Sequence, residues 1–147
     1  MPDSSTPTDV ADALLAVWRV LRPRIDSVMA AHGLSMSRGK LLTALQREGP
    51  SRPGELAEWF GQSPRTLTDA IDGLERDGLV QRQPHPTDRR AQLIVITPAG
   101  EAALAAVAEP RRDAMDALFS CIEPKDRATL VDMLRTIERH GKSVDKG

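Results

Sequence analysis

The sequence predicts a mainly α protein carrying a small β-hairpin, with helices on both sides of it. Three observations support that class. Apolar residues recur at i, i+3, i+4 and i+7 through most of the chain. Helical runs open on cap-plus-proline pairs, Ser63-Pro64 and Thr97-Pro98, and close on glycines. Only residues 79–96 hold two β-prone runs around a proline-punctuated loop. Hydrophobic residues make up 40% of the chain but aromatics only 3%, so the core must be aliphatic. A length of 147 residues fits one domain, or one small domain plus an assembly element.

Taken in order, residues 1–8 are rich in Pro, Ser, Thr and Asp and read as a disordered tail. From Asp9 to His32 a helical stripe runs through Val10, Leu14, Val17, Trp18, Leu21, Ile25 and Met29. Pro23 lies inside it; because the stripe stays in phase, a kink is expected rather than a break, with the Arg19 carbonyl losing its partner. Gly33 ends this helix. A second helix is expected from a Ser37 cap, carrying Leu41, Leu42 and Leu45 to the Gly49-Pro50 stop. Pro53 opens a short third helix with Leu56, Ala57, Trp59 and Phe60, and Gly61-Gln62 turns into the fourth.

In that fourth helix Ser63 is the expected N-cap and Pro64 suits the first turn, where a missing N–H costs nothing. Leu67, Ala70, Ile71 and Leu74 form its buried stripe, and Asp77-Gly78 closes it. Strands follow at 79–83 and 91–96, with Pro84 and Pro86 confined to strand end and loop. Beyond Thr97-Pro98, the small-sided run Ala99, Ala102, Ala103, Ala106, Val107 lets another helix approach closely. Pro110 suggests a bend, Glu123-Pro124 a break, and a last helix spans about 124–140 with Leu130, Val131, Leu134 and Ile137 in phase.

The outward face of the fourth helix carries Arg65, Thr68, Asp69, Asp72 and Arg76, all polar. Such a helix beside an arginine-tipped hairpin has the geometry of a winged helix-turn-helix. The helix can enter a DNA major groove while the arginines reach the backbone or the adjacent minor groove. A formal charge of −1 implies a local footprint, Arg82, Arg89 and Arg90 beside Asp88, and hence strongly salt-dependent binding. The N-terminus lacks the basic and apolar regions of a signal peptide, and no apolar run approaches membrane-spanning length, so a cytoplasmic protein is expected. One cysteine excludes an intrachain disulfide. His32, His85 and His140 have no metal-ligand spacing, and no nucleophile elbow or phosphate loop is present. No metal, no cofactor and no catalysis are therefore expected.

Leu56-Ala57, Ser63 through Thr68, Leu74 through Val80, Asp88-Arg89-Arg90 and Ile96-Thr97-Pro98-Ala99-Gly100 resemble the MarR family of bacterial transcriptional regulators. The resemblance runs from about Val10 to the C-terminal helix. Each piece alone is weak, and the ordered set is specific. It implies an intertwined helical homodimer, with residues 9–32 and 98–141 as the dimerisation region and 33–97 as the DNA-binding module. The apolar faces of the terminal helices, larger than one module needs, argue the same way. Duplex DNA with a pseudo-palindromic operator is the expected partner, and repression the expected outcome. A small aromatic or anionic effector is the switch the family implies.

On this view Arg38, Ser63, Pro64, Arg65, Thr66, Thr68, Asp69, Asp72, His85, Asp88, Arg89 and Arg90 are the DNA-contact candidates. A merely solvated helix face is the alternative for the polar helix. Asp69 departs from the family, where basic residues are frequent at that place; it accepts from cytosine N4 or holds Arg65. Thr66 and Ser63 are placed at phosphate, as are Arg89 and His85. Asp88 and Arg90 match the family's wing pair, and a carboxylate two residues away can orient the guanidinium. Trp18, Arg22, His32 and Arg112 are the effector candidates, with packed core or surface as the alternative, and Trp59 is assigned to the core. Cys121 lies among Leu118, Phe119 and Ile122, which favours a buried structural thiol over an oxidant sensor. A redox regulator acting through Cys121, or a winged helix used only for protein contacts, are the competing functions.

Overall fold

A computed structural model describes residues 4–145 of the chain. The elements run α1 (Pro7–Ala30), α2 (Met36–Glu48), α3 (Pro53–Phe60), α4 (Pro64–Arg76), β1 (Val80–Pro84), β2 (Gln92–Ile96), α5 (Pro98–Phe119) and α6 (Pro124–Val144). Two compact units divide it, Met1–Ala114 and Met115–Gly147.

Helix α1 starts two residues before the expected Asp9. Thr6 and Asp9 form a capping box: the Asp9 N–H donates to Thr6 Oγ1 at 3.2 Å, and the Thr6 N–H donates to the Asp9 carboxylate at 2.7 Å. The expected tail therefore gives way to helix at Pro7, while residues 1–3 lie outside the described residues. The helix continues unbroken through Pro23. Gly33, at φ +75°, turns the chain out of it, and the Leu34 N–H closes back on the Met29 carbonyl at 2.9 Å.

The cap of α2 is Ser35, not Ser37. Ser35 is extended, and its hydroxyl accepts the Arg38 N–H at 3.2 Å, which already places Ser37 inside the first turn. Ser63 caps α4 as expected, accepting the Thr66 N–H at 3.1 Å. Leu42, Leu45, Leu56, Leu67, Ile71, Leu74, Val80 and Ile94 are completely buried, an aliphatic core drawn from α2, α3, α4 and both strands. Trp59 is not part of it: it is 49% exposed on α3.

The strands pair antiparallel in the register Val80↔Ile96 through Pro84↔Gln92. A third segment joins them: the buried Ser51 exchanges both backbone hydrogen bonds with Ile94, at 3.1 and 2.8 Å. This bridge anchors the start of α3 to β2. At the other end, Thr97 explains the Thr-x-x-Gly signature. Its hydroxyl donates to the Gly78 carbonyl at 2.6 Å and accepts the Gly100 N–H at 3.1 Å, so it caps α5 and ties it to the exit of α4. Gly100 packs so closely that an added Cβ would strike the Leu79 carbonyl oxygen.

In the second unit, α6 runs four residues beyond the expected end near 140 and buries none of its residues. Leu130, Val131, Leu134 and Ile137 are all exposed. Cys121 is also exposed, against the expectation of burial, with its thiol 3.7 Å from the Leu118 carbonyl. Among the described residues, no helix is long and apolar enough to cross a membrane.

Candidate nucleic-acid interface

The buried stripe of α4 fixes which side faces outward. With Leu67, Ile71 and Leu74 in the core, Arg65, Thr66, Thr68, Asp69, Asp72 and Arg76 all lie on the exposed side. Arg65 and Asp69 make no ion pair with each other or with any other described residue, so the intrahelical option for Asp69 is not taken. The Thr68 hydroxyl donates to the Pro64 carbonyl at 2.8 Å, which leaves its lone pairs and its methyl facing out. Thr66 and Ser63 share a hydroxyl contact of 2.8 Å at the helix start, beside the exposed Pro64.

Asp72 is engaged elsewhere. Arg82 on β1 donates from Nη2 to Asp72 at 2.6 Å and from Nη1 to Glu75 at 2.7 Å, while its backbone N–H donates to Glu75 at 3.1 Å. The Asp72 carboxylate above all, then Glu75, holds the Arg82 guanidinium above its ordinary value. Arg82 is therefore not part of a free basic footprint. It clamps the strand to α4 and sets the angle between helix and hairpin. Arg38 behaves similarly: it pairs with Asp77 at the C-terminus of α4 and lies over Gly73, where a Cβ would collide with its Nη2. These two residues position the helix.

The hairpin tip is organised around His85. Its Nδ1 accepts the N–H groups of Thr87 at 3.2 Å and Asp88 at 3.1 Å. The Asp88 carboxylate accepts the Arg90 backbone N–H at 3.0 Å and faces Arg52 Nη1 at 3.7 Å. The expected role for Asp88, orienting the Arg90 guanidinium, is thus replaced by a different one: it shapes the backbone on which Arg90 stands. Arg89 and Arg90 are exposed and have no ion-pair partner among the described residues. Arg52, at the N-cap of α3, also approaches His85 Nε2 at 3.4 Å and was not legible as a wing residue in the sequence.

A cavity of about 520 Å³ opens in the first unit, lined by residues of α1, α2, α3 and α4 that include Trp18, Arg22, Asp26, Lys40, Phe60 and Leu67. The Arg22 guanidinium lies 6.0 Å from the Trp18 ring centre and 3.6 Å from Asp26. Trp18 and Arg22 both line it. His32 and Arg112 do not reach the lining, and Lys40 supplies a cation the sequence reading missed.

A family model described as MarR family matches residues 34–91, the stretch from the start of α2 through the hairpin tip. An HTH-type transcriptional regulator of Mycobacterium leprae is 31% identical over 111 residues, covering 76% of this chain and 75% of its own. The chain belongs to the MarR family. Among solved structures, the MarR family regulator AbsC of Streptomyces coelicolor superposes with a TM-score of 0.80 at 26% identity, covering 97% of this chain and 99% of that one. A mutant of MarR from Escherichia coli, crystallised with operator DNA, has the same fold at a TM-score of 0.78 and 21% identity, covering 87% and 92%. This MarR family member is a transcriptional regulator rather than an enzyme.

Proposed function

We propose that this MarR family regulator acts as a homodimeric repressor, inserting α4 into successive major grooves of a pseudo-palindromic operator. The observation that carries the proposal is the pairing of an exposed polar helix face with Arg89 and Arg90, which no carboxylate neutralises among the described residues. Arg65 offers bidentate donors to guanine, and Thr68 offers acceptor lone pairs and a methyl to adenine, cytosine or thymine edges. Ser63, Pro64 and Thr66 sit where the helix start meets phosphate, and Asp69 is available to a cytosine amino group. Asp72 is held by Arg82 and Arg38 by Asp77, so their contribution is positional.

The apolar surface supports a second copy. Helix α1 exposes Val10, Leu14, Leu15, Val17, Trp18 and Val20, and α6 exposes Leu130, Val131, Met133, Leu134 and Ile137. Faces of that size are covered in a stable assembly, and two-fold pairing also sets the half-site spacing. The cavity beside Trp18, with Arg22 and Lys40 at its wall, suits a small aromatic anion. Such a ligand shifts operator affinity only by its differential affinity for the DNA-competent state. Selection of duplexes from a random library, followed by footprinting and light scattering, tests the proposal. A palindromic consensus and a dimeric mass are expected; a monomer, or no retained sequence at low salt, ends it.

A further inference from the structure

We propose that His85 is a positioning residue that latches the wing in its neutral form and releases it on protonation, so that acidification weakens DNA binding. The inference rests on the DNA-binding function above and concerns how the wing arginines are held.

The geometry leaves no role for an imidazolium. Two backbone donors, from Thr87 and Asp88, converge on Nδ1, and the Thr87 hydroxyl lies 3.4 Å from the same atom. On the other side Nε2 faces Arg52 Nη2, a group that can only donate, at 3.4 Å. A neutral ring accepts at one nitrogen in either tautomer, and two backbone donors against one guanidinium N–H favour acceptance at Nδ1. The cation accepts at neither. Protonation therefore strips the acceptor from two N–H groups and sets a second positive charge against Arg52.

The charged groups facing His85 are Arg52 from the start of α3 and Asp88 from the loop itself. The Asp88 carboxylate faces the Arg90 N–H and Arg52, and no ion pair joins it to the His85 ring among the described residues. From the β2 side, the Ala91 carbonyl accepts the His85 backbone N–H at 3.1 Å, and the Ala91 N–H returns to the Asp88 carbonyl at 3.1 Å. These bonds tie the loop's base. The His85 ring ties its tip, where Arg89 and Arg90 stand.

The sign of the effect separates this latch from the simpler picture of a histidine near phosphate. An imidazolium against phosphate strengthens binding as pH falls, whereas a released wing weakens it.

Two measurements between pH 7.5 and pH 5.5 at constant ionic strength test it. In the free protein, nitrogen-15 spectra are expected to show the Thr87 and Asp88 amides moving with the midpoint of the His85 ring itself. Amides that ignore the ring titration overturn the latch without reference to DNA. By fluorescence anisotropy, the affinity for a duplex selected at pH 7.5 is expected to be about tenfold lower at pH 5.5. His85→Asn places an amide oxygen where Nδ1 stands but does not titrate, so between these two pH values its affinity is expected to change less than about twofold. Affinity that holds or rises on acidification in the wild type relative to His85→Asn refutes the proposal. Failure to retain any duplex at pH 7.5 removes the DNA-binding function itself and the affinity effect with it, while the amide titration separately judges the latch.

Discussion

Replacing Arg82 with Met isolates the clamp between β1 and α4. Methionine keeps an aliphatic stem, and the backbone N–H that donates to Glu75 at 3.1 Å survives, so only the guanidinium bonds to Asp72 and Glu75 are lost. A solvent-exposed ion pair is worth about 0.2–1 kcal/mol, and a better-shielded charge-assisted bond about 1.5–3 kcal/mol. The Arg82 side chain is only 23% exposed, but Asp72 and Glu75 are 48% and 41% exposed, so water screens both pairs and the lower range applies. One ordered side chain serves two partners, which spreads its entropy cost. The expected loss is about 0.4–2 kcal/mol, a fall in Tm of roughly 1–8 °C for a chain of this size. DNA affinity falls as well, because two uncompensated carboxylates then sit on the groove-facing helix. Thermal unfolding at low and high salt is the assay, with Asp72→Asn and Glu75→Gln completing a double-mutant cycle. Unchanged stability at low ionic strength refutes the clamp. A loss that persists undiminished near 1 M salt, where the screening length is about 3 Å, refutes its electrostatic origin.

Arg90→Ala is expected to weaken DNA binding more than about tenfold while leaving the thermal stability unchanged, and Arg89→Ala to reduce the salt slope by about one unit; filter binding across salt concentrations measures both affinities. Gly100→Ala is expected to destabilise by about 1–3 kcal/mol, because a Cβ there meets the unyielding Leu79 carbonyl; urea unfolding reads the change. The Asp9 carboxyl is held below the usual aspartate range by the Thr6 hydroxyl and, next, the Thr6 N–H. Its contribution to α1 is therefore present above the unfolded value and lost as pH falls through the folded one. Amide protection factors at the start of α1, corrected for the intrinsic exchange rate, are expected to fall below about pH 4, and Thr6→Ala to lower them at neutral pH as well.

Much of this fold is written in short-range patterns. Ser63-Pro64, Thr97-Pro98 and Gly61 mark element ends because caps, proline and left-handed glycine act within a few residues of one another. Thr6-Pro7-Thr8-Asp9 carries the same kind of signal, a capping box with proline behind it, and it places the start of α1 two residues earlier than the hydrophobic stripe does. Ser35 and Ser37 are equally good caps by type, and only the extended backbone at Ser35 separates them. Hydrophobicity alone places Trp59 in the core. An eight-residue helix has one buried side, however, and Leu56 and Ala57 occupy it.

The order of the elements, the aliphatic core and the polar side of α4 are all legible in the spacing of apolar residues, because periodicity sets which face a helix buries. Which charges remain available depends instead on how the chain closes. Arg82 reaches Asp72 and Glu75 across ten and seven residues, and Arg38 reaches Asp77 across 39. Arg52 meets Asp88 and His85 because Ser51 is bridged to Ile94. Ion pairs of this kind form when core closure brings distant backbone together, and no local propensity encodes the distance between two side chains that far apart. In a sequence every arginine is equally basic. In the folded chain some brace the helix and the wing, while Arg65, Arg89 and Arg90 stay unpaired among the described residues.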